Sequence, residues 1–133
     1  MTVQYMLDTN IVSEIICNPA GRAAQRARAV AELVCVSVIV AAELRYGCAR
    51  KGSPQHLRRL EDFLSEVPVL PFDVPAYSEY GGIRAELEAA GRPIGSNDLL
   101  IAAHACALAA TVVTANVGEF RRIPGLNVEN WLE

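Results

Sequence analysis

Apolar positions recur along this chain in two alternating rhythms. Val3 to Leu7 is a short, mostly apolar run that predicts a first strand. Asp8-Thr9-Asn10 then offers side-chain oxygens that cap helices, and Ile11, Val12, Ile15 and Ile16 follow at helical spacing. Asn18-Pro19 and Gly21 end that short helix. Arg22 to Leu33 is rich in Ala and Arg and predicts a helix, with Arg22 and Arg26 one turn apart on a solvated face. Val34-Cys35-Val36-Ser37-Val38, dominated by β-branched residues, predicts the second strand. Ile39 to Lys51 returns to helical spacing, and Gly52-Ser53-Pro54 breaks it. Pro54 to Val67 places Leu57, Leu60, Phe63 and Leu64 on one face of an amphipathic helix. The two helices predict an αα-hairpin, suited to a clamp or a dimer surface.

Val67 to Phe72 carries two prolines and predicts a short, irregular strand. Val74 to Ala90 predicts a helix interrupted at Gly81-Gly82. A turn-forming stretch from Gly91 reaches Ser96-Asn97-Asp98, where an almost wholly apolar helix starts. Thr111 to Ala115 predicts the fourth strand, Asn116 to Phe120 a loop, and Leu126 to Trp131 a short last strand.

Strands alternating with helices predict an α/β fold with a mostly parallel sheet and helices on both faces. The 133 residues predict a single domain, 1–133, with 52% hydrophobic residues excluding a disordered chain. No apolar run approaches the roughly 20 residues of a membrane span. The start of the chain has no basic segment of the secretory kind, so the expected compartment is the cytoplasm. Cys17, Cys35, Cys48 and Cys106 form no C-x-x-C pair, which excludes a zinc ribbon or disulfide framework. Cys17 is the one expected to be exposed.

Three carboxylates stand in apolar surroundings. Asp8 ends Tyr5-Met6-Leu7, Glu43 lies within Val38-Ile39-Val40-Ala41-Ala42-Glu43-Leu44, and Asp98 opens an apolar helix. A bare carboxylate among apolar residues is costly unless it is paired, protonated or bound to a cation. Taken alone, Asp98 also reads as a helix cap. In a parallel sheet the ligand crevice lies beyond the carboxyl ends of the strands. Asp8 follows strand one, while Asn116 and Glu119 follow strand four. A shared cation held by oxygen ligands points to Mg²⁺ or Mn²⁺ and to metal-assisted phosphodiester hydrolysis.

No Ser–His or Cys–His arrangement competes. His56 lies in a polar helix and is expected to face solvent. His104 lies about 240° around its helix from Asp98, which predicts a hydrogen-bonded packing role. The net charge of −3 argues against a nucleic-acid binder of the basic-patch kind. Lys51 is the single lysine, and arginine suits phosphates as well as a partner's carboxylates. Arg92, Arg121 and Arg122 flank the expected mouth of the site.

Met6-Leu7-Asp8-Thr9-Asn10, Ala42-Glu43-Leu44-Arg45-Tyr46-Gly47, Asn97-Asp98-Leu99-Leu100-Ile101-Ala102-Ala103 and Thr114-Ala115-Asn116-Val117-Gly118-Glu119-Phe120 look like the successive motifs of PIN-domain ribonucleases. Order and separations match across essentially the whole chain. The tail from Arg122-Ile123-Pro124-Gly125-Leu126 through Trp131 is similar to VapC toxins of bacterial type II toxin–antitoxin modules, in particular an enterobacterial branch.

The resemblance implies a PIN-like domain, with a parallel sheet of four or five strands sandwiched by helices. It implies Asp8 and Asp98 as the principal Mg²⁺ ligands, with Mn²⁺ able to substitute, and Glu43 completing the acidic centre directly or through water. Asn116 and Glu119 would sit at its edge. The family's fourth acidic position is commonly Asp, and the longer Glu119 stands there in this chain. Thr9 would hold the Asp8 carboxylate or a metal-bound water.

The implied activity is endoribonucleolytic, on tRNA such as the anticodon loop of initiator tRNA, and it inhibits translation. The implied partner is a VapB-type antitoxin whose C-terminal segment blocks the site, with an Arg or Lys among the carboxylates. A homodimer, higher assemblies with the antitoxin, DNA contact only through the antitoxin and no membrane contact complete the expectation. The alternative is a catalytically silent PIN-like module that serves the antitoxin in DNA binding and autoregulation. An aspartyl phosphatase is disfavoured, because its pattern wants a second Asp where Asn10 stands.

Overall fold

The computed structural model describes residues 3–133; Met1 and Thr2 of the expected 1–133 domain lie outside the described residues. Five parallel strands form one sheet in the order β3-β2-β1-β4-β5. They are β1 (Tyr5–Leu7), β2 (Val34–Ser37), β3 (Val69–Leu70), β4 (Thr111–Val113) and β5 (Val128–Glu129). Between them run α1 (Thr9–Cys17), α2 (Arg22–Ala29), α3 (Val38–Lys51), α4 (Pro54–Glu66), α5 (Val74–Ala89), α6 (Ser96–Leu108) and the one-turn α7 (Val117–Phe120). From β1 the chain moves outward to β2 and β3, then returns across the sheet to β4 and β5. Right-handed crossovers in opposite directions put α1 to α4 on one face and α5 to α7 on the other. This is the expected α/β sandwich.

The central strands are buried on both sides, as parallel strands between helix layers must be. Met6, Leu7, Cys35, Val36, Val112 and Val113 are wholly inaccessible to solvent. On α6, Leu99, Ile101, Ala102, Ala103 and Ala105 are buried around the helix, which accounts for its lack of a polar face. Burial pushes the Cys35 thiol up to about 12, so it packs as an inert hydrophobe. Cys17 is exposed, as expected. Among the described residues, no helix is long and apolar enough to cross a membrane.

Polar residues at strand ends set where helices start. Ser37 ends β2 early, because its hydroxyl accepts the Ile39 N–H at 3.1 Å and starts α3 at Val38. The same hydroxyl lies 2.8 Å from Nδ1 of the buried His104. At the other end of α3, Gly52 adopts the left-handed conformation (φ +65°) and ends the helix. Ser53 and Pro54 then start α4, completing the predicted hairpin.

Several boundaries differ from expectation. The third and last strands shrink to two residues each, the third between Pro68 and Pro71. The helix from Arg22 stops at Ala29, and Ala31–Leu33 forms a separate 3₁₀ turn. Gly81 and Gly82 do not interrupt α5, whose packing along α6 outweighs roughly 1 kcal/mol of unfavourable helix propensity per glycine. The expected loop at Asn116 to Phe120 contains α7, anchored by the buried Phe120. Arg26 is not simply solvated: it pairs with Glu129 at 3.5 Å and lies 5.3 Å from the centre of the Trp131 ring. Trp131 in turn meets Tyr5 edge-on at 5.2 Å.

Ser37→Ala removes a helix cap and leaves a buried imidazole nitrogen without its partner. It should destabilise the fold by about 2–3 kcal/mol in urea unfolding. A loss below about 0.5 kcal/mol would show that the Ser37–His104 contact contributes little.

Candidate active site

Leu7 lies beside Val113 in the central parallel pair, so β1 and β4 end together. This is where the strand order reverses, the place in an open α/β sheet where ligands bind. The first residues beyond the two strands are Asp8 and Thr114. The Asp8 N–H donates to the Val113 carbonyl at 2.9 Å, and the Thr114 hydroxyl donates to Asp8 Oδ2 at 2.7 Å. The other carboxylate oxygen, Oδ1, accepts the Thr9 N–H at 2.8 Å at the start of α1. Asn10 Nδ2 adds a longer bond to Oδ2 at 3.3 Å. Asp8 is therefore oriented from three sides and only 4% exposed.

Glu43 projects from α3 and is held between two donors. The Thr9 hydroxyl donates to its Oε1 at 2.7 Å, and Asn97 Nδ2 donates to its Oε2 at 2.8 Å. Thr9 thus serves Asp8 through its backbone N–H and Glu43 through its hydroxyl. Asp98 follows Asn97 on α6. It is the third residue of that helix rather than its cap: Gly95 occupies the cap position, with no side-chain capping bond. Asn116 Nδ2 donates to Asp98 Oδ2 at 3.2 Å and to Glu119 Oε2 at 2.6 Å. The other oxygen of Glu119 accepts the Gly95 N–H at 2.5 Å. The Asn116 N–H donates to the Thr114 hydroxyl at 2.9 Å.

The bonds close a circuit. It runs from Asn97 through Glu43, Thr9, Asp8, Thr114 and Asn116 to Asp98, the neighbour of Asn97. Every sequence-predicted site residue lies on this circuit or, like Glu119, one bond from it. Asn97, Thr114 and Asn10 were not singled out by sequence. Asn10 Oδ1 also accepts the Ala115 N–H at 3.0 Å and so ties the two loops together. The available signal was position: each lies within two residues of an acidic or amide side chain, beside an apolar run.

The remaining candidates fall elsewhere. His104 is buried against Ser37 and meets Phe72 edge-on, the expected packing role, and burial lowers its pKa. His56 is half-buried on α4 rather than solvent-facing. Arg122 donates to the Pro93 carbonyl at 2.8 Å and braces the turn before α6. Arg92 and Arg121 stay exposed.

The PIN domain family matches residues 5–126. The chain is 43% identical over 130 residues to Ribonuclease VapC2 of Rickettsia felis, covering 96% of this chain and 97% of that one. It is 38% identical over 130 residues to the tRNA(fMet)-specific endonuclease VapC of Salmonella typhimurium, covering 97% and 98%. Its fold superposes with a TM-score of 0.89 on a crystal structure of VapBC2 from Rickettsia felis bound to a DNA fragment from their promoter. That match is at 41% identity and covers 97% of this chain and 99% of that chain.

The electrostatics fit a divalent cation. Among the described residues the ion pairs are Arg26–Glu129, Arg45–Glu61 and Arg84–Glu88, so no basic side chain forms an ion pair with Asp8, Glu43 or Asp98. Burial, reinforced by the charge of Glu43, raises the Asp8 pKa against the hydrogen bonds that lower it. Burial first, then the charges of Asp8 and Glu119, push Asp98 up to about 7. Glu119 goes the other way: the Gly95 N–H, then the Asn116 amide, hold it below the usual carboxylate range. Among the described residues no three His, Cys, Asp or Glu side chains surround one point as a ready-made cage. A hard ion of the Mg²⁺ kind takes one or two carboxylates and completes its shell with waters, which this arrangement suits.

The Asp98 shift fixes a pH dependence. Its folded pKa of about 7 lies above the ordinary value of 3.8, so between those values the folded state holds the extra proton. That contribution to stability is fully present below the unfolded pKa and is lost as pH rises through about 7. In EDTA the melting temperature should fall from pH 5 to pH 8, and Asp98→Asn should flatten that fall. Divalent cation affinity should strengthen over the same range, by up to about tenfold per pH unit below the Asp98 pKa. An affinity unchanged across the range would contradict Asp98 as the titrating group.

Proposed function

The chain belongs to the PIN-domain family, among relatives named VapC ribonucleases, and on that footing we propose that it is a Mg²⁺-dependent endoribonuclease, the toxin of a VapBC module. The observation that carries the reading is the convergence of Asp8, Glu43, Asp98 and Glu119 on one crevice at the switch point of the sheet, with no basic side chain paired to the first three among the described residues.

Asp8 and Asp98 are the residues to hold the ion. Glu43 would complete the acidic centre directly or through water, and Glu119 and Asn116 would stand at the edge of that centre. When bound, the ion supplies charge neutralisation at the phosphate and lowers the pKa of a bound water. The protein's own part is orientation. Thr114 and the Thr9 N–H fix both oxygens of Asp8, leaving little rotational freedom. Thr9 and Asn97 fix Glu43, and Asn116 bridges Asp98 and Glu119 as a neutral donor to both. The raised Asp98 pKa means that taking up the ion below about pH 7 would release the Asp98 proton.

The substrate class is tRNA, in line with the Salmonella relative's specificity. The initiator tRNA anticodon loop is the finer expectation, with translation inhibition as the consequence. The partner is a VapB-type antitoxin, as in the related VapBC2 complex. A basic side chain from that partner would complement the acidic crevice and exclude the ion. The DNA-bound relative favours a second role in autoregulation, with DNA contacted through the antitoxin. Residues 1–133 act as one PIN domain of a bacterial cytoplasmic protein, and the toxin works as a homodimer within larger complexes with its antitoxin.

The test is incubation of the antitoxin-free protein with total RNA in Mg²⁺, followed by mapping of new 5′ ends. The expected result is one or a few cuts in a tRNA anticodon loop, absent in EDTA and absent for Asp98→Asn with its fold intact. An active Asp98→Asn protein would sink the assignment. Asn97→Ala leaves Glu43 with one donor instead of two, and should lower cleavage about 10–100-fold with melting temperature nearly unchanged. Wild-type rates in Asn97→Ala would show that Glu43 needs no such support.

A further inference from the structure

The helix that carries Asn97 and Asp98 starts without a cap of its own. Gly95 stands at the cap position of α6, and Asp98 is the third residue of the helix. In a capping box the side chain of the third residue reaches back to the N–H of the cap residue. Asp98 makes no such bond among the described residues. Its Oδ2 accepts from the Asn116 amide at 3.2 Å, and the Gly95 N–H goes instead to Glu119 Oε1 at 2.5 Å. Glu119 lies 24 positions from Gly95, on α7. It does from another element what Asp98 would otherwise do from its own helix.

The same turn is gripped a second time. Arg122 Nη1 donates to the Pro93 carbonyl at 2.8 Å. Arg122 and Glu119 belong to one turn of chain, since the Arg122 N–H donates to the Glu119 carbonyl at 3.2 Å. Phe120 and Ile123 alternate with them and are buried, so both prongs stand on a turn fixed to the core. A cation therefore holds a carbonyl, and an anion holds an N–H, on either side of Ile94. Charge-assisted bonds of this kind are roughly twice as strong as neutral ones. A negative charge at the start of α6 also suits the helix dipole. Residues 92–95 belong to no helix or strand, so contacts such as these set their course.

We infer that Glu119 is a positioning residue and not an ion ligand: with Arg122 it clasps the turn 93–95, takes the Gly95 N–H, and so leaves the Asp98 carboxylate turned into the crevice. The inference rests on the ribonuclease reading only for the presence of the ion. The clasp needs reach as well as charge. An Asp at this position would be shorter by one C–C bond, about 1.5 Å, and would leave the Gly95 N–H to Asp98 or to water.

Two substitutions separate reach from charge. Glu119→Gln keeps the length and an acceptor oxygen but removes the charge, and Glu119→Asp does the reverse. Hydrogen exchange of the Gly95 amide, followed by NMR in the full antitoxin-free chain, reads the clasp directly. In the wild type that amide should exchange equally slowly in EDTA and in saturating Mg²⁺. In Mg²⁺ it should stay slow in Glu119→Gln and exchange about tenfold or more faster in Glu119→Asp. Mn²⁺ affinity, read from the EPR signal of the free ion, should fall about tenfold or more in Glu119→Asp. It should fall less in Glu119→Gln, by no more than the roughly fivefold that one partly exposed charge is worth. Arg122→Ala should lower kcat for RNA cleavage about tenfold or more with KM nearly unchanged, as a shifted Asp98 predicts.

Gly95 exchange that quickens when Mg²⁺ is added to the wild type would show Glu119 leaving for the ion, and would overturn the inference. So would a Glu119→Gln protein that binds Mn²⁺ more weakly than Glu119→Asp. Arg122→Ala that raises KM with kcat unchanged would give that side chain to the RNA and undo the clasp. The expected exchange and Mn²⁺ results in a protein that cuts no RNA would uphold the clasp and reject the ribonuclease reading.

Discussion

Like-charged carboxylates repel, and the crevice at the end of β1 and β4 holds four of them together with neutral donors. Hydroxyls from Thr9 and Thr114, the Asn97 amide, and backbone N–H groups of Thr9 and Gly95 each take one carboxylate oxygen, and the Asn116 amide takes two. None of these donors brings a full positive charge. The carboxylates are therefore oriented without being neutralised, and the crevice keeps its demand for a cation. Pairing each acid with an arginine would have satisfied the fold and removed the chemistry.

This arrangement has an energetic signature. Asp8 and Asp98 are held partly away from water, which disfavours their charged forms and raises their proton affinities. Ion, proton and a partner's basic side chain are interchangeable answers to the same demand. Whichever of them binds the folded state alone also stabilises it, so occupancy of the crevice and stability of the domain are linked. The buried strands and the apolar α6 beneath the site give the rigidity against which that demand is maintained.

The sequence was most readable where burial makes chemistry conspicuous. Asp8, Glu43 and Asp98 stood out because a carboxylate in an apolar run needs a reason. Asn97 and Thr114 did not, because an amide or hydroxyl at the end of a strand or the start of a helix is ordinary, and only the fold reveals what it touches. The alternation of strands and helices was equally legible, since it rests on periods of 2 and 3.6 residues. Boundaries were not. Ser37 cuts β2 short because its hydroxyl is drawn to a helix start, and Gly81-Gly82 stay helical because α6 supports them. Arg26 looked like surface charge until Trp131 and Glu129, about a hundred positions away, came alongside it. Long-range contacts of this kind leave no local trace.

The central pairing of β1 with β4 also bears on when the molecule comes into being. The Thr114–Asp8 hydrogen bond spans 106 positions, and β4 enters the middle of the sheet only after the helices on both faces have been made. A nascent chain emerging from the ribosome cannot assemble the crevice until Asp98, Thr114 and Asn116 are out. Prematurely terminated or clipped products that lack β4 carry at most three of the four carboxylates and no site. The order of the chain thus acts as a timer, which withholds the acidic centre until β4 and the Asn116 loop have been made.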